Sequence, residues 1–454
     1  MSIIIFAAFG VLCLATLAIV KAITRAHASS LSQIPNAGWG AAYSRLLWAF
    51  SKEYRGVITI ELPKIHEKLG PNEVSFYSID IYDTIHKVNS GFAKDPRNYG
   101  DDLEEHSKRR RILGQLFSRS NIAKLEGLML HHVNVFVEAI SRKCVFVLIF
   151  KLTAEFSFGE AVNAVVAWSK GGELAIVANN DKKATFMPLW TLKAWARNKD
   201  PDKKSPFPNL IKVMIAAGVP TQTALSEAKE NLGPGTDTTS ASLAHVLYAL
   251  SKNPVYQQKL YKDLFDRGFP TDMSSLENIP RLRACVKEGI RWAGAAAAML
   301  PRVVPHGGVE LCGKLIPEGT VLTSSPIWYL RDKYAYPNPE LFNPYRWIND
   351  SGTTSSDNAI RDKFYVPFSK GANVCIGNHF SYYEIYLGLA KTLERFKLVH
   401  VEEATISTQL AGVSSPDWQP VQLPMRKEWV AAVLTDPLLV ELIPRDAKED
   451  DLSW

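Results

Sequence analysis

Cysteine is scarce in this chain and never paired. Its five cysteines, Cys13, Cys144, Cys285, Cys312 and Cys375, are odd in number and include no C-x-x-C. Neither a disulfide framework nor a zinc site is indicated, and a reducing compartment fits. Also missing are the loops G-x-G-x-x-G and G-x-x-x-x-G-K-[ST], the elbow G-x-S-x-G and the pair H-E-x-x-H. These absences argue against a P-loop site, an elbow-type serine hydrolase and a zinc protease of the H-E-x-x-H kind. They also leave the chain without a flavin or nicotinamide loop of its own, so any electrons it uses come from a separate protein. Long basic blocks are absent: the net charge of +6 is modest, and Asp and Glu are spread throughout, which does not imply nucleic acid. A basic face for an acidic redox partner or an anionic membrane stays open. No internal repeat or low-complexity tract occurs.

What is present begins with one long apolar run. Ile3 to Val20 carries no charge, and as a helix it spans about 27 Å at ~1.5 Å per residue, close to the thickness of a bilayer core. Lys21 and Arg25 follow it directly. Ala26-His27-Ala28 could serve as a cleavage site, but a signal peptide has a basic start and a shorter apolar run. A permanent single-pass anchor is therefore expected, with the positive flank keeping the remainder cytosolic. Residues 1–23 are expected to be the anchor, 24–40 a Ser-, Pro- and Gly-containing hinge, and 41–454 one globular domain. With 454 residues, 46% hydrophobic and 22% charged, the chain is long enough for a large core.

Helical periodicity runs over Ile122 to Ile140, Thr223 to Leu250, Pro254 to Phe265, Pro280 to Trp292 and His379 to Phe396. Short strand-like pieces bounded by Gly and Pro fall at Val309 to Ile316 and Gly319 to Ser324. Asn349 to Asn358 is a polar loop, and His131-His132 sits on an apolar helical stretch as structural residues. The pattern predicts a mostly α protein with minor β.

Four short stretches carry chemistry. Phe368-Ser369-Lys370-Gly371-Ala372-Asn373-Val374-Cys375-Ile376-Gly377 sets one cysteine between glycines just before a helical run. A helix N-terminus favours a thiolate, the glycines let the backbone bend around something flat, and Phe368 offers a face to pack on it. The same cysteine also reads as a buried turn residue. Glu288 and Arg291 are three apart on a helix and share a face, which as a surface pair is worth only ~0.3–0.5 kcal/mol. Gly233-Pro234-Gly235-Thr236-Asp237-Thr238-Thr239 lies inside a long apolar helix. It reads either as a break between two helices or as a kink, since Pro234 removes a helix N–H. His106 and Arg110 lie on one helical face at i and i+4, in a basic run that otherwise reads as a solvated face.

Taken in order, these stretches resemble the cytochromes P-450. The Cys loop is similar to F-x-x-G-x-[RH]-x-C-x-G, Glu288 to Arg291 to the E-x-x-R helix, and Phe342-Asn343-Pro344-Tyr345-Arg346-Trp347 to the F-x-P-E-R-W segment. Gly233 to Thr239 is similar to the oxygen-activation segment [AG]-G-x-[DE]-T-T. The resemblance implies a cytochrome P-450-like single large helical domain behind an N-terminal transmembrane helix. It implies haem b with Cys375 as the axial thiolate, which favours O–O cleavage, and Phe368 against the haem. Thr238 would hold dioxygen and Asp237 would relay protons. Glu288, Arg291 and Arg346 would form a triad fixing the cysteine loop. His106 and Arg110 would donate to the haem carboxylates, as would Arg302 in Leu300-Pro301-Arg302-Val303-Val304-Pro305. The implied activity inserts one oxygen atom from O2 into a small apolar substrate, with electrons from NADPH through NADPH-cytochrome P-450 reductase. The implied location is a membrane, the endoplasmic reticulum, with the catalytic domain cytosolic. The style is that of filamentous-fungal members in specialised metabolism.

The departures are Asn373 in place of the loop cation, Tyr345 in place of Glu, and Pro234 in place of Ala. Three stretches are short by family habit: His66 to Pro71, Tyr99 to His106 and Ser141 to Gly159. They leave two alternatives, a haem-thiolate isomerase or dehydratase that needs no reductase, and a membrane-tethered relative without catalysis.

Overall fold

The computed structural model describes residues 2–62, 68–70, 72–96, 103–140, 209–401 and 417–445. Cys144, the stretch Ser141 to Gly159 and residues 97–102 of the Tyr99 to His106 connection lie outside the described residues.

Helices dominate. The first, α1 (Ser2–Ala28), contains the apolar run and is long enough and apolar enough to cross a membrane. After α2 (Ala49–Tyr54) come α3 (Ile79–His86), α4 (Leu103–Leu116) and α5 (Glu126–Ile140). The core helices are α6 (Thr221–Ser251), α7 (Pro254–Phe265), α8 (Pro280–Ala293) and α9 (Asn378–Arg395). Their ends follow local rules. Ser78 caps α3, its hydroxyl accepting from the Ile81 N–H. Pro254 and Pro280 stand in the first turns of α7 and α8, where no N–H is needed. Gly294 ends α8 in the left-handed region. One helix, not two, passes through Gly233-Pro234-Gly235, and Pro234 is accommodated inside α6.

Helices α5 to α9 share the main core, in which Val133, Val246, Ile290 and Leu389 are buried. His132 is buried there, and His131 meets it edge-on, so neither faces a reactive site.

One sheet joins distant parts of the chain. It comprises β1 (Lys68–Gly70), β2 (Glu73–Ser75), β3 (Ala93–Lys94), β4 (Arg302–Val303) and β7 (Val321–Thr323), in the spatial order β1-β2-β7-β4-β3. Only the β2–β7 pair is parallel. The single strand expected over Val309 to Ile316 is instead a hairpin of β5 (Val309–Leu311) and β6 (Lys314–Ile316). Cys312 and Gly313, at its tip, both have positive φ, 51° and 71°, so the chain turns where an extended run was expected. Outside the sheet, β8 (Leu341–Phe342) pairs with β10 (Val421–Gln422) and β9 (Phe396–His400) with β13 (Val440–Pro444). A last hairpin is formed by β11 (Arg426–Glu428) and β12 (Ala432–Leu434). Within the span expected to be a hinge, Leu31, Ile34 and Ala37 are buried, the first two against the β5–β6 hairpin.

Candidate active site

A cavity of about 620 Å³ lies between α4, α6, the Cys loop and the stretch 294–302. Cys375, Phe368, Thr238, His106, Arg110 and Arg302 all face it, although they come from four separate parts of the chain. Asp237 does not line it.

The floor is the Cys loop. The Cys375 N–H donates to the Phe368 carbonyl at 2.8 Å, closing the loop on itself. Gly371 holds φ at 65°, and a Cβ there would sit 1.8 Å from the His86 carbonyl oxygen. Glycine is therefore required where the loop presses on the end of α3. The Cys375 sulfur is open to the cavity and enclosed by protein elsewhere. The helix terminus was expected to favour a thiolate. Burial works in the opposite direction and is the larger effect, raising the thiol. The Gly377 N–H and the Arg110 guanidinium pull it down.

A buried network gathers α8 and the segment 330–347 around Glu288. Glu288 accepts from Arg291 Nε at 2.9 Å and Nη2 at 2.8 Å, from Arg346 Nε at 3.1 Å and from Trp347 Nε1 at 3.0 Å. The Asn343 N–H adds a fifth bond at 2.9 Å. Arg291 spends its remaining donors on the carbonyls of Leu330, Pro339 and Leu341. Burial would raise the Glu288 carboxyl; Arg291, Arg346 and the Asn343 N–H outweigh it and hold the group below its ordinary range. A weak surface pair was the bland reading of E-x-x-R. Both residues are fully buried, so that reading fails. Tyr345, where the resemblance expects Glu, donates its hydroxyl to Asp417 at 2.6 Å, and Lys259 meets the same carboxylate at 2.9 Å.

The roof is α6. Thr238 Oγ1 donates to the Pro234 carbonyl at 2.9 Å, which leaves the hydroxyl's lone pairs as acceptors toward the cavity. Thr239 Oγ1 lies 2.9 Å from Ser381 Oγ, tying α6 to α9 just beyond the Cys loop. Asp237 is half-buried, and burial raises its carboxyl above the ordinary range.

One rim is basic. His106 Nε2 lies 3.1 Å from Lys94 Nζ, and Lys94 is the cross-strand partner of Arg302. Burial, helped by Arg110 and Arg302, pushes the Lys94 ammonium down to about 8. The only carboxylate among the described lining residues, Glu227, is paired with Arg109 at 2.5 Å. Arg110 also reaches the floor. Its Nε donates to the Ala372 carbonyl at 2.9 Å, and its Nη2 donates to the Val374 carbonyl. A cation thus arrives from α4 beside Asn373, where the loop carries none.

Lys94 was not legible as a site residue. Phe92-Ala93-Lys94-Asp95-Pro96 looks like a plain connection until β3 pairs with β4 more than 200 residues away. The donor set suits haem: a thiol below, an aromatic side chain beside it, and four basic groups at one edge for two carboxylates.

The cytochrome P450 family model matches residues 197–418, a span that holds the roof helix, the Glu288 network and the Cys loop. Three curated proteins extend the likeness over most of the chain. The cytochrome P450 monooxygenase macH of Penicillium terrestre is 26% identical, covering 84% of this chain and 89% of its own. The cytochrome P450 monooxygenase orf2 of Aspergillus niger is 24% identical over 86% and 91%, and AFT11-1 of Alternaria alternata 26% over 79% and 84%. Over most of its length the chain is thus similar to cytochrome P450 monooxygenases, a family whose cofactor is haem.

Proposed function

We propose that this protein is a haem-thiolate monooxygenase of fungal specialised metabolism, inserting one atom of O2 into a small apolar molecule and reducing the other to water. The observation that carries this reading is a single thiol opening into a cavity roofed by Thr238 and rimmed by cations. The monooxygenases named above support the reaction class, and their fungal origin supports the metabolic setting.

When bound, haem supplies the activation of dioxygen at iron. The chain's residues do the rest. Cys375 Sγ would hold the iron; its N–H bond to the Phe368 carbonyl closes the loop, and the Glu288 network would support that loop through the chain segment before it. Phe368, which lines the cavity, would offer its face to the ring. Lys94, Arg110 and Arg302 would neutralise the two carboxylates, and His106, which burial and the neighbouring cations hold neutral, would donate to them. Thr238 Oγ1, already donating to the Pro234 carbonyl, accepts a hydrogen bond from the cavity. Asp237, whose affinity for a proton burial raises, passes protons in from outside the cavity, which keeps bulk water out. Electrons come from NADPH through NADPH-cytochrome P-450 reductase. Residues 1–23 anchor the chain in the endoplasmic reticulum membrane, and 41–454 face the cytosol.

Reduction under carbon monoxide tests the core of this reading. The expected difference spectrum has the strongly red-shifted Soret band of a cysteinate on haem iron, and Cys375→Ala abolishes that band. A thiolate band that survives the substitution overturns the ligand assignment.

A further inference from the structure

A second cavity, of about 410 Å³, lies apart from the thiol, between α8, α9 and the polar loop 349–358. Two of its basic groups share one face of α8. Arg283 and Lys287 stand at i and i+4, and like charges at that spacing repel. Among the described residues neither belongs to an ion pair. Arg283 Nη2 donates to the Thr354 hydroxyl at 2.6 Å. The Lys287 ammonium lies 4.1 Å from the centre of the Trp347 ring and 4.9 Å from that of Tyr365. A third cation, Arg361, sits over Trp347 at 4.7 Å, and its Nη1 donates to the Ser355 hydroxyl at 3.0 Å. Aromatic rings and hydroxyls thus hold three cations beside one space.

Acid does not balance them. Of the carboxylates lining this cavity, Glu277 is paired with Arg119 and Asp362 with Arg361, and Asp357 is exposed. Burial pushes the Lys287 ammonium down to about 8; Asp362 opposes this, and Arg361 and Arg283 add to it. An anion with several acceptor oxygens relieves such crowding, and guanidinium forks suit phosphate. The loop carries a hydroxyl in the right place. Those of Ser351 and Thr353 are knotted to Asn349 Oδ1, at 2.6 and 3.0 Å, and Ser355 is half-buried. Thr354 is exposed, lines the cavity and already meets Arg283. It is open to an enzyme from outside and close to the cations within.

We propose that this cavity receives a phosphate monoester, and that Thr354, phosphorylated by a protein kinase, supplies it. In that transfer Thr354 Oγ1 bonds to the γ-phosphorus of ATP, the bond from that phosphorus to ADP breaks, and the hydroxyl proton passes to the kinase. The product carries a charge of about −1.5 to −2 and three acceptor oxygens, which Arg283, Lys287 and Arg361 share. The loop is then fastened to α8 and to the segment that runs from Arg361 toward the Cys loop. Arg361 Nη1 also donates to the Arg346 carbonyl at 2.6 Å, and Trp347 Nε1 donates to Glu288 at 3.0 Å. The modification therefore acts on the supports of the catalytic site, while none of the three cations lines the catalytic cavity.

The first measurement uses the full-length haem protein with phosphothreonine encoded at position 354, titrated with pH and followed by phosphorus NMR. The expected result is a second phosphate ionisation about one pH unit or more below that of phosphothreonine encoded at position 353, because adjacent cations favour the dianion. Arg283→Gln should remove most of that difference and leave position 353 unchanged. Equal titration at 354 and 353, or no response to Arg283→Gln, overturns the phosphate site, since the group then lies in solvent. The second measurement maps phosphopeptides of the protein isolated from the cells that naturally make it, with and without phosphatase treatment. Phosphate on Thr354 is expected. Its absence, with inorganic phosphate binding saturably to the unmodified protein, overturns Thr354 as the source in favour of a free phosphate compound. Its absence without such binding overturns the whole proposal.

Discussion

At the scale of single residues, the site divides into side chains whose type announced their role and side chains that only the fold explains. Cys375, Thr238 and Arg302 sit in recognisable strings, and all three face the cavity. Lys94 had no string, because its meaning depends on the strand beside it. Tyr345 was legible only as a departure. Its bond to Asp417 shows why a carboxylate is dispensable there: Glu288 already takes Arg346, and the tyrosine secures a different neighbour. Two predictions belong at this scale. Thr238→Ala should leave haem content unchanged while product formed per NADPH falls by about 10²-fold, the lower end of what a positioned proton-handling group contributes; product and NADPH are measured together in the reconstituted system. Lys94→Met should speed haem loss to apomyoglobin by ~10-fold or more, since a charge-assisted hydrogen bond is worth ~1.5–3 kcal/mol.

At the scale of elements, helices were well marked and strands were not. Proline at the first turn made the starts of α7 and α8 readable, and their observed ranges, Pro254–Phe265 and Pro280–Ala293, follow the expected ones closely. Strands of two or three residues carry too little periodicity to be found, and the hairpin at 309–316 hid behind a turn made by Cys312 and Gly313. The buried Glu288 network makes α8 sensitive to substitution. Glu288→Gln should cost ~3–5 kcal/mol in denaturant unfolding, because it strands two buried arginines. Gly371→Ala should fold with a displaced Cys loop and lose the red-shifted carbonyl band, since its Cβ has no room beside His86. Acid sensitivity resides in α6. Burial lowers His245 to about 4, and Nδ1 bonds the Ala241 carbonyl at 2.7 Å. A histidine kept neutral in the fold takes up a proton first in the unfolded chain. Its contribution to stability is therefore complete above about 6.5 and is lost as pH falls toward 4, some ~2 kcal/mol by pH 5. Urea midpoints at pH 7 and pH 5 should differ less in His245→Leu than in the parent protein.

At the scale of the whole molecule, composition and helical periodicity were enough to indicate a large helical domain behind an apolar segment, and the order of weak motifs indicated the family. What they left out was how the five-stranded sheet gathers residues 68 to 323 into one layer, a matter of long-range pairing that no local window contains. That layer ends in an awkward place. Its last two strands, β3 and β4, set Lys94 and Arg302 directly opposite each other, and like charges facing across a ladder repel. In the proposed site a dianion would lie between the two side chains, and the cofactor would then act as a latch on the architecture as well as a reagent. Newly made protein should remain frayed along this edge until haem arrives. Trypsin should then cut after Lys94 readily in the haem-free chain and at least ~10-fold more slowly once haem is added, because a ligand that binds only the closed state suppresses opening in proportion to its occupancy. Haem supply would in this way decide how much of the protein survives surveillance by proteases, before any substrate is met.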